Sequence, residues 1–164
     1  MSNAPARPLR NHPQVIAFVA AKLEKDVNSW LQVSGDSDEE SCLETLTDVL
    51  TDTHSSDWDG YKLARALEDE GWSPDHDLVS TLDRADHFAY DEHHRLVKDW
   101  VASNGIQAKL ELGREVTTRI GFEKKTGTII KIDALEARYH IQVPPQTDTS
   151  AYLVNFEEVE KENL

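Results

Sequence analysis

Over the first hundred residues apolar positions recur every three or four, the spacing of an amphipathic helix. Ile16, Val19, Leu23, Val27 and Trp30 form the first stripe. Pro13 suits its opening turn, where a missing N–H costs nothing, and Gly35 is placed to end it. Residues 1–10, rich in Pro and Ala, read as a frayed arm ahead of it. A second helix is expected after Ser37, with Glu40 three residues on as a capping box requires. Its buried face is Leu43, Leu46 and Val49 or Leu50. A third spans 57–72, with Trp58, Tyr61, Ala64 and Leu67 on one side, Gly60 in its first turn and Gly71 closing it. Ser73 and Pro74 open a fourth helical stretch with the stripe Leu78, Leu82, Ala85, Ala89, Leu96 and Trp100. It reads as one long helix, or as two broken between Phe88 and Asp91, and Asn104-Gly105 ends it.

Beyond Gly105 the period changes to two, the signature of strands with one buried face. Val116, Thr118 and Ile120 alternate with Glu115, Thr117 and Arg119. Tyr139, Ile141 and Val143 do the same, as do Tyr152, Val154 and Phe156, and GTIIKID at 127–133 makes a fourth strand. The stretch GFEKKTGT at 121–128 has the composition of a phosphate loop but not its spacing, and a β-branched run follows it rather than a helix. It is expected to be a hairpin, with Gly127 supplying the permissive backbone and Lys124 and Lys125 at the tip. The expected fold is α+β: a helical bundle of about four helices over 1–105, then a small antiparallel barrel over 106–164.

One pattern carries a resemblance. Gly113-x-x-Val116, Gly121, Gly127-Thr128-Ile129, Tyr139-x-Ile141 and Leu153-Val154-x-Phe156-Glu157-x-Val159 together resemble the SH3-like small barrels of the KOW type. The likeness covers 113–159, about a third of the chain. It implies a tightly turned barrel in a class that serves as adaptors, as nucleic-acid-binding modules and as parts of assemblies. A fold of this kind does not choose among those roles.

Charge changes the picture more than composition does. The chain has 164 residues and a formal net charge of −14. From Asp36 to Glu92 there are 18 acidic residues against 3 Lys or Arg, whereas 106–164 holds 10 against 8. Such a field repels nucleic acid and anionic membrane and attracts basic surfaces. The longest apolar run, VIAFVAA, is far short of a membrane span, and MSNAPARPLR lacks the apolar segment of a secretory leader. Cys42 is the only cysteine, which fits a reducing, cytoplasmic setting.

Three constellations are candidates for chemistry. Asp83, His87, Asp91 and His94 fall three or four apart, a spacing that can present carboxylates and imidazoles to a divalent metal. Lys124, Lys125 and Lys131 are the barrel's candidate phosphate contacts, although edge lysines also serve to block strand-to-strand aggregation. Cys42 lies among Asp38, Glu39, Glu40 and Glu44, a setting that disfavours a thiolate. No nucleophile elbow, metalloprotease motif or cofactor loop is present in the sequence.

The acidic block is the strongest functional signal. Asp38, Glu39, Glu44, Asp48 and Asp52 load the second helix and its entry; Asp57, Asp59, Glu68 and Asp69 load the third. The expectation is a non-enzymatic, cofactor-free binding protein, an inhibitor or adaptor. Its acidic helices would dock on a basic, possibly nucleic-acid-binding, surface of a partner protein, in the manner of phage anti-defence or nucleic-acid-mimic proteins. The alternatives are a metal-dependent hydrolase using the Asp83–His94 face, and an adaptor whose barrel takes nucleic acid or peptide. Solubility alone is the rival explanation of so much charge.

Overall fold

A computed structural model describes residues 5–34, 42–145 and 151–163. Gly35, Asp36, Ser37, Asp38, Glu39 and Glu40 lie outside the described residues, and with them the expected helix stop and capping box. The described elements are α1 (Pro13–Ser34), α2 (Cys42–Asp52), a 3-10 turn (Ser55–Asp57), α3 (Gly60–Asp69), α4 (His76–Leu82) and α5 (Ala85–Asn104). Strands β1 (Glu115–Ile120), β2 (Glu123–Asp133), β3 (Arg138–Gln142) and β4 (Tyr152–Asn155) follow, then α6 (Phe156–Asn163). The protein is thus mixed α+β, helices first and a four-stranded antiparallel sheet after. The chain packs as two units, Arg7–Leu96 and Val97–Leu164 with Pro5 and Ala6. Helix α5 supplies residues to both.

In the helical unit the apolar stripes meet as their spacing requires. Val15, Val19, Leu23 and Val27 of α1 are fully buried with Leu46 and Leu50 of α2, Leu67 of α3 and Leu78 and Leu82 of α4. Each such side chain contributes about 1.5–3 kcal/mol by leaving water. Trp58 is fully buried just ahead of α3, its indole N–H donating to the Thr53 carbonyl at 3.1 Å. Tyr61, read from the sequence as part of the buried side of α3, is 67% exposed; Leu63 takes the buried place instead. The buried face of α3 runs through Gly60, Leu63, Ala64 and Leu67, which leaves Tyr61 outside it.

Gly60 has a role beyond tolerance in a first turn. A Cβ there would lie 2.2 Å from the Val79 carbonyl oxygen and 2.5 Å from Asp83 Oδ1. Asp83 Oδ1 accepts the Gly60 N–H at 2.6 Å, so the start of α3 is held against the end of α4 at a distance only glycine permits. Gly71, at φ +90°, closes α3 as expected, with its N–H bonded to the Glu68 carbonyl and that of Trp72 to Leu67.

The fourth helical stretch is two helices, broken at Asp83–Arg84 rather than between Phe88 and Asp91. The cap of α4 is Asp75, not Ser73: its carboxylate accepts from the backbone N–H of Asp77 and Leu78 at 3.1 and 2.9 Å. Along α5, Ala85, Ala89 and Leu96 join the helical core, while Val97 and Val101 join the other. One turn before Leu96 the buried position is taken by Glu92, held by the Arg95 guanidinium at 2.8 and 2.5 Å. Residues 7–10 are fastened rather than frayed. The Pro8 carbonyl hydrogen-bonds His93 Nε2 at 3.1 Å, and Arg10 pairs with Asp86.

The second unit is a curled meander in the order β1-β2-β3-β4, an open half-barrel with β1 and β4 at its edges. Val116 faces Gly127, Ile129 faces Ile141, and Tyr139 faces Val154. Val116, Ile129, Tyr139, Ile141, Val154, Phe156 and Val159 build its core, with the Tyr139 and Phe156 rings 4.3 Å apart. The hairpin between β1 and β2 turns at Gly121-Phe122, where Gly121 has φ +62°. Gly127 is inside β2, and its lack of a side chain serves close packing: a Cβ would sit 2.4 Å from the Gln142 carbonyl oxygen. Phe156, expected to finish a strand, begins α6, which packs against β1 and β4. The Trp100 indole donates to the Pro5 carbonyl at 2.9 Å. Among the described residues no helix is long and apolar enough to cross a membrane.

Candidate functional site

The acidic surface follows from how α2 and α3 bury their apolar faces. Burial of Cys42, Thr45, Leu46, Val49 and Leu50 turns Glu44, Asp48 and Asp52, four residues apart, outward. On α3, burial of Leu63, Ala64 and Leu67 leaves Glu68, Asp69 and the following Glu70 exposed. None of these six carboxylates makes a salt bridge with a described residue. Neither helix has a basic residue in its last turn, whereas Asp52 ends α2 and Glu68, Asp69 and Glu70 crowd the end of α3. Helix C-termini carry partial negative charge, so these anions stand where the backbone itself disfavours them.

Asp57 and Asp59 are differently employed. Asp59 caps α3, its carboxylate accepting the Lys62 N–H at 2.9 Å. Lys62 Nζ lies 2.6 Å from Asp57 and 3.5 Å from Asp59. The hydrogen bond from Lys62 holds the Asp57 carboxyl below the usual carboxylate range, and the same bond raises Lys62. These two acids are therefore spent on local structure. Asp38 and Glu39 lie outside the described residues.

The Asp/His set is dispersed by the break after α4. Asp83 follows α4 and is bonded to Gly60. On α5, His87 Nε2 is 3.5 Å from Asp91 Oδ2 with both side chains exposed, and the His94 ring packs at a tilt against Tyr90, centroids 4.0 Å apart. Among the described residues no three His, Cys, Asp or Glu side chains group to hold a metal ion. Cys42 is buried, and desolvation, with the nearby Glu24 charge, pushes its thiol up to about 11.

The cations of the sheet are largely committed to neighbours. Lys124 pairs with Glu162 at 3.2 Å and Lys125 with Glu123 at 3.4 Å; both lie in β2, opposite Arg119 and Thr118, rather than in the turn. Lys131, opposite His140, is exposed.

Two features escaped the sequence. Tyr139 Oη donates to Glu160 at 3.0 Å and accepts the backbone N–H of Leu110 at 3.1 Å, while Lys109 Nζ pairs with Glu160 at 3.0 Å. This knot ties β3, α6 and the segment entering the sheet, and burial raises the Tyr139 phenol. The other is a cleft of about 440 Å³ between α3 and the start of α4. Exposed Tyr61 and Glu68, one helical face apart by seven residues, were the available signal for it. Comparison of the chain with protein-family models, curated proteins and solved structures returns no match.

Proposed function

We propose that this is a non-enzymatic binding protein, an inhibitor or adaptor, whose acidic helical surface docks on a basic surface of a partner protein. The observation that carries the reading is a set of exposed carboxylates on well-packed helices, Glu44, Asp48, Asp52, Glu68 and Asp69, that make no salt bridge among the described residues, with Asp52, Glu68 and Asp69 at the C-terminal ends of their helices. A side chain placed where its own helix opposes it gains most from an external cation. Solubility would be served as well by acids at helix N-termini, which stabilise rather than strain the fold.

In this reading the protein is cytoplasmic, the basic surface is one that binds nucleic acid in other circumstances, and the curled sheet is an SH3-like scaffold. Direct nucleic-acid binding by the sheet has less support, because Lys124 and Lys125 are already ion-paired. The test is affinity capture with the wild type and a variant carrying Glu44→Gln, Asp48→Asn, Asp52→Asn, Glu68→Gln and Asp69→Asn. Basic proteins held by the wild type and released by the variant support the reading; a partner set unchanged by the substitutions removes its basis.

A further inference from the structure

Helices α3 and α4 leave between them an open cleft of about 440 Å³. Its floor is apolar, from Ala64 and Val79. Tyr61 stands on one side with two-thirds of its surface exposed, although it supports no part of the core. Glu68, two turns along the same face of α3, and Asp75, the cap of α4, add two carboxylates. Arg65 and His76 also edge the cleft. Around it the charge remains negative: between residues 57 and 77 there are seven acids against Lys62 and Arg65. Lys62 is bound to Asp57 and Asp59 and so does not neutralise Glu68.

An exposed aromatic ring, a free carboxylate and an apolar floor are the three elements that select a guanidinium over other side chains. The planar cation lies on the ring face, its N–H groups bond the carboxylate, and its aliphatic stem covers the floor. An ammonium satisfies the charge but neither the stacking nor the fork geometry as well. An anionic ligand would be repelled by the surrounding carboxylates, and a wholly apolar one would leave Glu68 and Asp75 without compensation.

We infer that the α3–α4 cleft receives an arginine side chain of the basic partner, laid over the Tyr61 ring with Glu68 accepting its N–H groups. The inference rests on the acidic-surface reading above and sharpens it: the partner is selected for arginine, not for positive charge alone. Asp75 adds charge while its Oδ1 remains engaged with α4 and Trp30.

Synthetic nona-arginine and nona-lysine peptides, fluorescently labelled and titrated with the full chain at pH 8 and low salt, separate the two ideas. Nona-arginine is expected to bind about fivefold or more tightly than nona-lysine, the size of one cation–π contact. Tyr61→Ala should erase that preference and Tyr61→Phe should keep it. Because Tyr61 is outside the core, Tyr61→Ala should leave thermal stability unchanged, which the same samples report. Equal binding of both peptides, or a preference that survives Tyr61→Ala, overturns the arginine site and leaves the acidic surface standing. Absence of binding to either peptide overturns both.

Discussion

The indole N–H of Trp30, near the end of α1, donates to Asp75 Oδ1 at 2.8 Å, and Asp75 caps α4 with the same oxygen. The Trp30 ring stacks on Trp72, with centroids 6.1 Å apart. One carboxylate therefore fixes the start of α4 and ties it to α1, while the paired rings cover the loop between α3 and α4. Asp75→Asn keeps an acceptor for both purposes and should melt close to the wild type. Asp75→Ala should melt several degrees lower. Trp30→Phe keeps the stack but loses the N–H, and should cost about 1 kcal/mol in urea unfolding. An Asp75→Ala melting curve that overlays the wild type would show the cap to be idle.

Gly60→Ala should invert the usual rule. In an ordinary helix the change stabilises by about 1 kcal/mol. Here the new methyl would meet the Val79 carbonyl at 2.2 Å and Asp83 Oδ1 at 2.5 Å, so α3 must move away from α4. A loss of about 2–3 kcal/mol is expected, the range of overpacked sites. Equilibrium urea unfolding decides it, and a variant as stable as the wild type would mean that the close approach is absent.

Cys42 should behave as an inert thiol. With its pKa pushed up to about 11 by burial, the thiolate at neutral pH is about two orders of magnitude scarcer than for a free cysteine. Reaction with a thiol reagent should be slow in the native protein and fast in urea. Fast native labelling would contradict the burial of α2 against α1.

Acid should destabilise the fold through a small set of carboxyls. Asp57, bonded by Lys62, Asp75, bonded by the Leu78 N–H, and Glu92, bonded by Arg95, all have lowered folded pKa values. Their contribution is complete above the ordinary carboxylate range, about pH 4, and disappears as pH falls through their lower folded values. They add no slope between pH 5 and 8. Relief of the overall negative charge acts in the opposite direction, so the urea midpoint should be compared with that of Glu92→Gln at pH 7, 5 and 3. The gap between the two proteins should narrow at pH 3; a constant gap would mean that Glu92 titrates normally.

Periodicity made most of this architecture legible. The stripe from Ile16 to Val27 and the alternation through Val116 and through Tyr139 reappear as buried faces, and the stop at Gly71 as a left-handed residue. What escaped depended on contacts between distant residues. Nothing near Gly60 announces the Val79 carbonyl, and nothing in the run from Leu78 to Trp100 says that Asp83 will leave the helix to bind α3. Phe156 continued an alternating pattern and still became the first residue of α6, because its ring is taken up by Tyr139 while the backbone turns. For the acidic surface, composition located the charge but not its use: Asp57 and Asp59 are consumed by Lys62 and by capping, whereas Glu44, Asp48, Asp52, Glu68 and Asp69 are not. Tyr61 shares a three-residue spacing with Ala64 and Leu67, but the buried face of α3 is completed by Leu63 on the other side and leaves Tyr61 exposed.

The most direct test is the capture experiment run at two ionic strengths, with the five-carboxylate variant beside the wild type. If the acidic helices form the docking face, the wild type retains a basic partner at low salt, loses much of it at high salt, and the variant fails at both. A partner held equally by both proteins, or one whose retention ignores salt, would contradict the central claim.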